Sequence, residues 1–446
     1  MALTFKGGIH PPEFKHFTED KALVEARRPG LVVIPLAQHI GAPAKPVVGK
    51  GDTLKAGQLL GEPGGFVSAA VHSPVAGKVL KIADHPHAMG GLKPAVIIEP
   101  AEDGGDGEWE LMEPIAEPGR VEPEKLVERI RAAGIVGMGG ATFPTSVKVV
   151  PPKGHEFDTV ILNGAECEPF LTCDHRLMLE RGEKIVRGLE ILLQITGARN
   201  GVIAIEANKP DAVAHLKELT KDSARISVVK CKVKYPQGAE KQLIKAVTGR
   251  EVPVGGLPFA VNVLVQNVGT AYAIAEAIYE GKPLVERALT LTGPLVSEPK
   301  NLWVRLGTPV SELLEQCGGL KGEAARFIMG GPMMGMAQHR FDLPVAKGTS
   351  GLLFLPPPPP EAFTEGPCLR CGKCVDICPM NLVPCDAALY SRAGNLDEAE
   401  RYGAADCIEC GSCSFVCPAK RHLVQSIKLL KPSVLKRRAE RARAAK

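Results

Sequence analysis

The chain has 446 residues, 45% of them hydrophobic and 23% charged, with a formal net charge of +4. That length admits three or four domains, the composition is that of a folded chain, and no run approaches the roughly eighteen apolar residues of a membrane-spanning helix. So small a charge, with two Trp and five Tyr, excludes a nucleic-acid binder built on basic patches and stacking platforms.

Residues 1–28 form an N-terminal segment in which Phe5 to Asp20 mixes charge, Gly and Pro. A secretory leader would hold an apolar run there, so the expected location is cytoplasmic. Next, β-branched runs such as Leu31 to Ile34 and Val71 to Ser73 alternate with Gly and Pro turns, which predicts a small all-β unit over 29–100. A Gly- and acid-rich break at Ala101 to Gly107 follows. Over 120–287, Asp158 to Asn163 and Gly201 to Glu206 read as buried strands, and Arg176 to Thr196 and Pro210 to Thr220 as helices. That alternation predicts an α/β layer with a parallel sheet.

Polar and glycine-rich loops punctuate this layer. Gly137–Met138–Gly139–Gly140 runs into Phe143, where backbone without side chains lets a flat cofactor or phosphate approach. The segment departs from the G-x-G-x-x-G dinucleotide fingerprint, so it is equally readable as a turn. Asn163 to Pro169 follows a strand directly, the position where open α/β sheets bind ligands. Tyr235 to Lys241 and Val265 to Thr270 are two more such loops. Leu289 to Gly293 then predicts a strand leading into a β-rich domain over 288–350, and the prolines Pro356 to Pro360 predict a stiff linker over 351–365.

Thirteen cysteines in a reducing compartment point to metal or catalysis before disulfides. Cys368, Cys371, Cys374 and Cys378 before Pro379 give C-x2-C-x2-C-x3-C-P, and Cys407, Cys410, Cys413 and Cys417 before Pro418 repeat it. This is the spacing of two-cluster bacterial ferredoxins, in which the fourth cysteine of each group ligates the other cluster. The expected sets are Cys368, Cys371, Cys374 with Cys417, and Cys407, Cys410, Cys413 with Cys378. Zinc prefers two separated C-x2-C pairs. Adjacent one-electron centres form a conduit within 366–425. Cys167, Cys173, Cys231, Cys317 and Cys385 lack cluster spacing and receive no ligand role. Ala387 to Tyr402 predicts a helix over the clusters, and the basic stretch 426–446 reads as a solvated tail, with an anionic lipid or acidic partner as its other reading.

The glycine loop, Asn163-x-x-Glu166-x-Glu168-Pro169 and Asn267-Val268-x-Thr270 resemble the NADH- and flavin-binding subunit of respiratory complex I. The resemblance implies non-covalent FMN held by Gly137, Gly139, Gly140, Phe143, Lys148, Asn163, Glu166, Glu168, Gly238, Glu240, Asn267 and Thr270. Lys148 and Asn163 would reach its phosphate or ribityl chain, and NADH would stack near Phe143 and Glu168. Module order resembles more closely the RnfC family of the Rnf electron-transport complex, through Phe5 to Pro12, Glu168 to Arg176, Tyr235 to Gln242 and the paired cysteine groups. Ala239 stands where that family commonly has glycine.

This resemblance implies a multidomain α+β fold: a lipoyl-like barrel-sandwich unit, a Rossmann-like FMN/NADH domain, a β-grasp module of the soluble-ligand-binding type, and a ferredoxin-like domain. The barrel is similar to lipoyl and biotinyl carriers around Gly51 to Gln58 and Ser73 to Val79, but no lysine occurs between Glu62 and Gly77, so it is expected to carry no prosthetic group. The implied function is NADH oxidation through FMN into two [4Fe–4S] clusters. Membrane-embedded partners would couple electron exchange with ferredoxin to ion transport, and this chain would lie peripherally on the cytoplasmic face. Two other readings stand beside it: a soluble flavin and iron–sulfur reductase of a corrinoid or other carrier, and a flavin-free iron–sulfur scaffold.

Overall fold

The protein's structure, a computed structural model, describes residues 2–101, 107–323, 326–358 and 364–444. Most of the break at Ala101 to Gly107 and the linker's Pro359 to Phe363 lie outside the described residues.

The all-β unit folds as two small sheets. One has the order Val32–Pro35, Leu92–Pro100, Gly77–Pro86, Thr53–Leu54, and the other Lys45–Pro46, Leu59–Glu62, Val71–His72. Alternating residues Val32, Ile34, Leu54, Leu60, Val79, Val96 and Ile98 fill the space between them. Ser73, Pro74 and Val75, beside the place where a carrier would present its lysine, are buried, and the Arg305 guanidinium donates to the Pro74 carbonyl. The N-terminal segment is stitched across the other modules. Leu3 and Ile9 bridge to Cys231 and Tyr235, and Leu23–Glu25 lies parallel to Asn301–Trp303.

The α/β layer has four parallel strands in the order Ile226–Cys231, Asn200–Glu206, Thr159–Gly164, Val263–Asn267. The inner strand Thr159–Gly164 and its neighbour Val263–Asn267 are buried on both faces because both are covered, while the edge strand Ile226–Cys231 exposes Ser227 and Lys230. Val160 and Leu162 face the main core with Leu189 and Ile274, while Ile161 and Val265 face Leu243 and Ile244. Helices Gly182–Thr196 and Val268–Ala275 approach so closely that a Cβ on Gly188 would stand 1.9 Å from the Ala271 carbonyl oxygen. The helix expected over Arg176 to Thr196 is two, Cys173–Glu180 and Gly182–Thr196, because Arg181 at φ −135° turns the chain where Gly182 meets Leu219 and His215.

A six-stranded sheet follows, in the order Leu23–Glu25, Lys300–Arg305, Glu286–Thr292, Gly351–Leu355, Arg326–Met329, Met336–Gln338. Gly351–Leu355, expected in the linker, is a buried central strand parallel to Glu286–Thr292. The five prolines drew that boundary too early, across an apolar run that the sheet needs.

In the cysteine module the helix expected over Ala387 to Tyr402 is Pro384–Arg392 and Leu396–Arg401. Gly394 at φ +68° breaks it, and the Asn395 side chain accepts the Glu398 N–H at 3.1 Å to restart it. The basic tail is not solvated coil. It is part of the 22-residue helix Leu423–Ala444, whose Arg437, Arg438 and Arg441 pair with Asp397, Glu400 and Asp406. The acidic face of Leu396–Arg401 thus orders residues whose charge alone suggested disorder.

Lys347 pins the modules. Its fully buried ammonium donates to the Ala70 and Gly134 carbonyls, each at 2.6 Å, and burial lowers its pKa to about 7. Replacing it with Met leaves two buried acceptors without a donor, so Lys347→Met should destabilise the fold by about 2–4 kcal/mol. Thermal unfolding of the two proteins checks this, and an unchanged transition would contradict it.

Candidate functional site

In chain order the sheet grows to one side from Thr159–Gly164 and then restarts on its other side with Val263–Asn267. The order therefore reverses between those two strands, and the crevice beyond their carboxyl ends is where such sheets take ligands. The residues Asn163 and Asn267, at those ends, are register partners across it.

The glycine loop closes over this crevice. Gly137 N–H donates to the Phe143 carbonyl at 2.9 Å, and Met138 N–H to Thr270 Oγ1 at 2.9 Å. A Cβ on Gly139 would come within 3.1 Å of Asn267 Nδ2, so the loop rests on that amide. Gly140, at φ +79°, has nothing within 4 Å of its missing Cβ and faces open space. Asn163 donates to the Gly238 carbonyl at 2.8 Å, and Lys148 to Glu240 Oε1 at 2.6 Å and the Val265 carbonyl at 2.7 Å. Asn267 caps its helix through Gly269 N–H at 2.8 Å and donates to Asp174 at 2.7 Å. The structure thus gathers Gly137, Gly139, Gly140, Lys148, Asn163, Gly238, Glu240, Asn267 and Thr270. Ala239, at φ −65°, is in extended backbone that any residue adopts.

Two carboxylates are engaged elsewhere. Glu166 accepts the N–H groups of Asp174 and His175 at 2.7 and 3.2 Å, capping the Cys173 helix. Glu168 accepts from Met333 and Met334 N–H at 3.0 and 2.9 Å, and so holds the turn between strands Arg326–Met329 and Met336–Gln338.

Sequence reading missed the cations that shape these loops. Lys15 Nζ donates to the carbonyls of Glu166, Glu168 and Leu171, Lys209 to that of Ala165, and Arg287 to that of Met138. Arg287 had a signal, as a cation inside the mostly apolar run Leu284 to Leu289. Asp174 was missed too. Its carboxyl is pushed up to about 7, by burial first and by Glu166 second.

Unpartnered amides beside the crevice suit a polar cofactor. Gln237, fully buried beside Gly238, has neither amide atom partnered among the described residues, nor has Gln266 its amide nitrogen. Buried amides are ordinarily satisfied, and FMN offers both donors and acceptors.

The cysteines fall into two clefts. Cys368, Cys371, Cys374 and Cys417 line one and Cys378, Cys407, Cys410 and Cys413 the other, so each cleft takes three thiols from one loop and the fourth from the other. This donor chemistry suits [4Fe–4S] clusters. Cys385, given no role from spacing, also lines the first cleft.

Comparison with known proteins agrees with this layout. The RnfC barrel sandwich hybrid domain matches residues 3–103, the Nuo51 FMN-binding domain 130–276, the SLBB domain 289–337 and the 4Fe-4S dicluster domain 367–420. The chain is 47% identical to the C component of the Na⁺-translocating ferredoxin:NAD⁺ oxidoreductase complex of Acetobacterium woodii, over 98% of each chain. It is also 47% identical to the C component of the proton-translocating ferredoxin:NAD⁺ oxidoreductase complex of Clostridium ljungdahlii, over 97% of this chain and 94% of that one. With the C component of the ion-translocating oxidoreductase complex of Rhodobacter capsulatus the identity is 42%, over 99% and 85%.

Burial pushes the Glu168 carboxyl up to about 7 from its ordinary 4.5, against the two N–H groups that pull it down. Between those values the folded chain keeps a proton that the unfolded chain releases, so stability falls as pH rises from 4.5 through about 7 and levels off above. Glu168→Gln should flatten that slope. Melting temperatures at a series of pH values test it, and an equal slope in both proteins would count against it.

Proposed function

The chain belongs to the RnfC family, the C components of the ion-translocating ferredoxin:NAD⁺ oxidoreductase (Rnf) complexes, and we propose that it is the component at which electrons exchange with NAD(H). The observation that carries this reading is a single chain that joins a ligand crevice at a strand-order reversal to two clefts, each lined by the four cysteines of one expected cluster set. FMN held in such a crevice would supply hydride exchange with NAD(H) and one-electron exchange with [4Fe–4S] clusters.

The chain's own residues hold, orient and shield. The glycine loop, fixed by Thr270 and Asn267, forms a wall without side chains against which a flat ring can lie. Lys148 and Asn163 supply donors for the phosphate or ribityl chain, with Glu240 and the Gly238 carbonyl as their present partners. Phe143, half-buried at the end of the glycine loop, borders the approach of the nicotinamide. Glu168 contributes by fixing the Met333 turn. Cys368, Cys371, Cys374 and Cys417, which line one cleft, would hold one cluster, and Cys378, Cys407, Cys410 and Cys413, which line the other, would hold the second.

No helix among the described residues is long and apolar enough to cross a membrane. On this reading the chain is peripheral, facing the cytoplasm where NAD(H) is found. Ion movement belongs to the assembled complex and its membrane-spanning partners.

Anaerobic purification should yield about eight irons and one FMN per chain. Lys148→Met should raise the FMN dissociation constant about tenfold or more, through loss of a charge-assisted hydrogen bond, with the iron content unchanged. Eight irons with no flavin bound after reconstitution would overturn this reading and leave an iron–sulfur relay.

A further inference from the structure

The cysteine module meets the rest of the chain unevenly. Tyr235 Oη donates to the Cys410 carbonyl at 2.9 Å. Gln242 Nε2 donates to the Pro379 carbonyl at 3.1 Å and lies 3.3 Å from Met380 Sδ. Gly8 N–H donates to the Ile377 carbonyl at 2.8 Å, and Gly7 approaches that carbonyl so closely that a Cβ would stand 2.9 Å from its oxygen. Every one of these acceptors lines the cleft of Cys378, Cys407, Cys410 and Cys413. The other cleft turns outward: Cys368 and Cys371 are exposed, and Leu369 between them is 65% exposed.

Tyr235 stands where the two halves of the chain join. It is 1% exposed and packs with Ile9 and Cys410, with Cys167, Met333 and Ile377 around them. Its backbone exchanges hydrogen bonds with Ile9 at 2.8 and 2.9 Å. It also opens the loop whose Gly238 carbonyl is held by Asn163 and whose Glu240 pairs with Lys148. One short loop therefore touches the flavin crevice at one end and the backbone of a cluster ligand at the other.

Resting on the reading above, that the crevice holds FMN and the clefts hold clusters, we propose an order of transfer and a residue that sets it. Electrons coming from NADH pass first to the cleft of Cys378, Cys407, Cys410 and Cys413, and then to the exposed cleft of Cys368, Cys371, Cys374 and Cys417, where a partner collects them. Tyr235 is the positioning residue of the first step. Each step moves one electron, so that the donor is oxidised by one and the acceptor reduced by one, and no bond forms or breaks. The Tyr235 hydroxyl aims the positive end of its dipole at the backbone of the near cluster's loop. Hydrogen bonds around a cluster favour its reduced, more negative state, and a buried donor acts with little screening.

The test is an EPR-monitored redox titration of the full, cofactor-loaded chain, with rapid mixing against NADH, in the wild type and in Tyr235→Phe, Cys410→Ser and Cys371→Ser. Phe keeps the ring and the packing. Tyr235→Phe should move one cluster signal to a more negative potential, the same signal that Cys410→Ser removes, and slow cluster reduction about five- to tenfold while flavin bleaching persists. After Cys371→Ser the remaining cluster should still be reduced at the wild-type rate. After Cys410→Ser the remaining cluster should stay oxidised on that timescale although the flavin bleaches. A shift in the signal that Cys371→Ser removes, no shift at all, or the opposite behaviour of the two cysteine variants would overturn the proposal. A wild-type flavin that NADH cannot bleach would instead sink the NADH reading on which it rests.

Discussion

Buried cations hold the loops of this protein in place. Lys15, Lys209, Arg287 and Lys347 are each at most 5% exposed, and each donates to backbone carbonyls of the segments around the crevice. Taking a charge out of water costs several kcal/mol unless hydrogen bonds compensate, so these contacts are obligatory in the folded state. A loop whose carbonyl satisfies such a cation cannot shift without stranding it. Burial lowers the pKa of both Lys209 and Arg287, and the carboxylates of Glu206 and Glu166 beside the one and Asp174 beside the other offset part of that effect.

The cations also decide how the modules sit. Lys347 reaches the barrel at Ala70 and, at Gly134, the turn that follows helix Pro123–Ala132, while its own carbonyl accepts from Arg287, which also holds Met138 of the glycine loop. Barrel, α/β layer and β-grasp sheet therefore meet at one buried network behind the glycine loop. Electron transfer between fixed centres needs this rigidity, because no substrate motion carries the electron across. The cysteine module is fastened differently, by Tyr235, Gln242 and the glycine pair at Gly7 and Gly8, along its inner cleft.

Much of this was legible in the sequence because its signals are local. The cysteine spacing follows from the coordination geometry of iron. The strands Thr159–Gly164 and Asn200–Glu206 declare themselves as apolar runs. Polar loops directly after strands mark the crevice. What failed was non-local. Gly351–Leu355 reads as the start of a proline linker until the sheet claims it, and Leu423–Ala444 reads as a charged tail until Asp397, Glu400 and Asp406 supply partners. Lys15 and Lys347 look like ordinary surface lysines, since the carbonyls they serve lie far away in the chain. Nor does local sequence show that Glu168, which the resemblance places near the nicotinamide, accepts from a turn of the neighbouring sheet at Met333 and Met334.

The most direct test of the account is rapid anaerobic mixing of the oxidised chain, loaded with FMN and both clusters, with NADH, following the flavin and iron–sulfur absorption bands together. The account predicts that the flavin band bleaches first and the cluster band follows from it. Cluster bleaching that precedes flavin bleaching, or that proceeds equally in chain stripped of FMN, would contradict it.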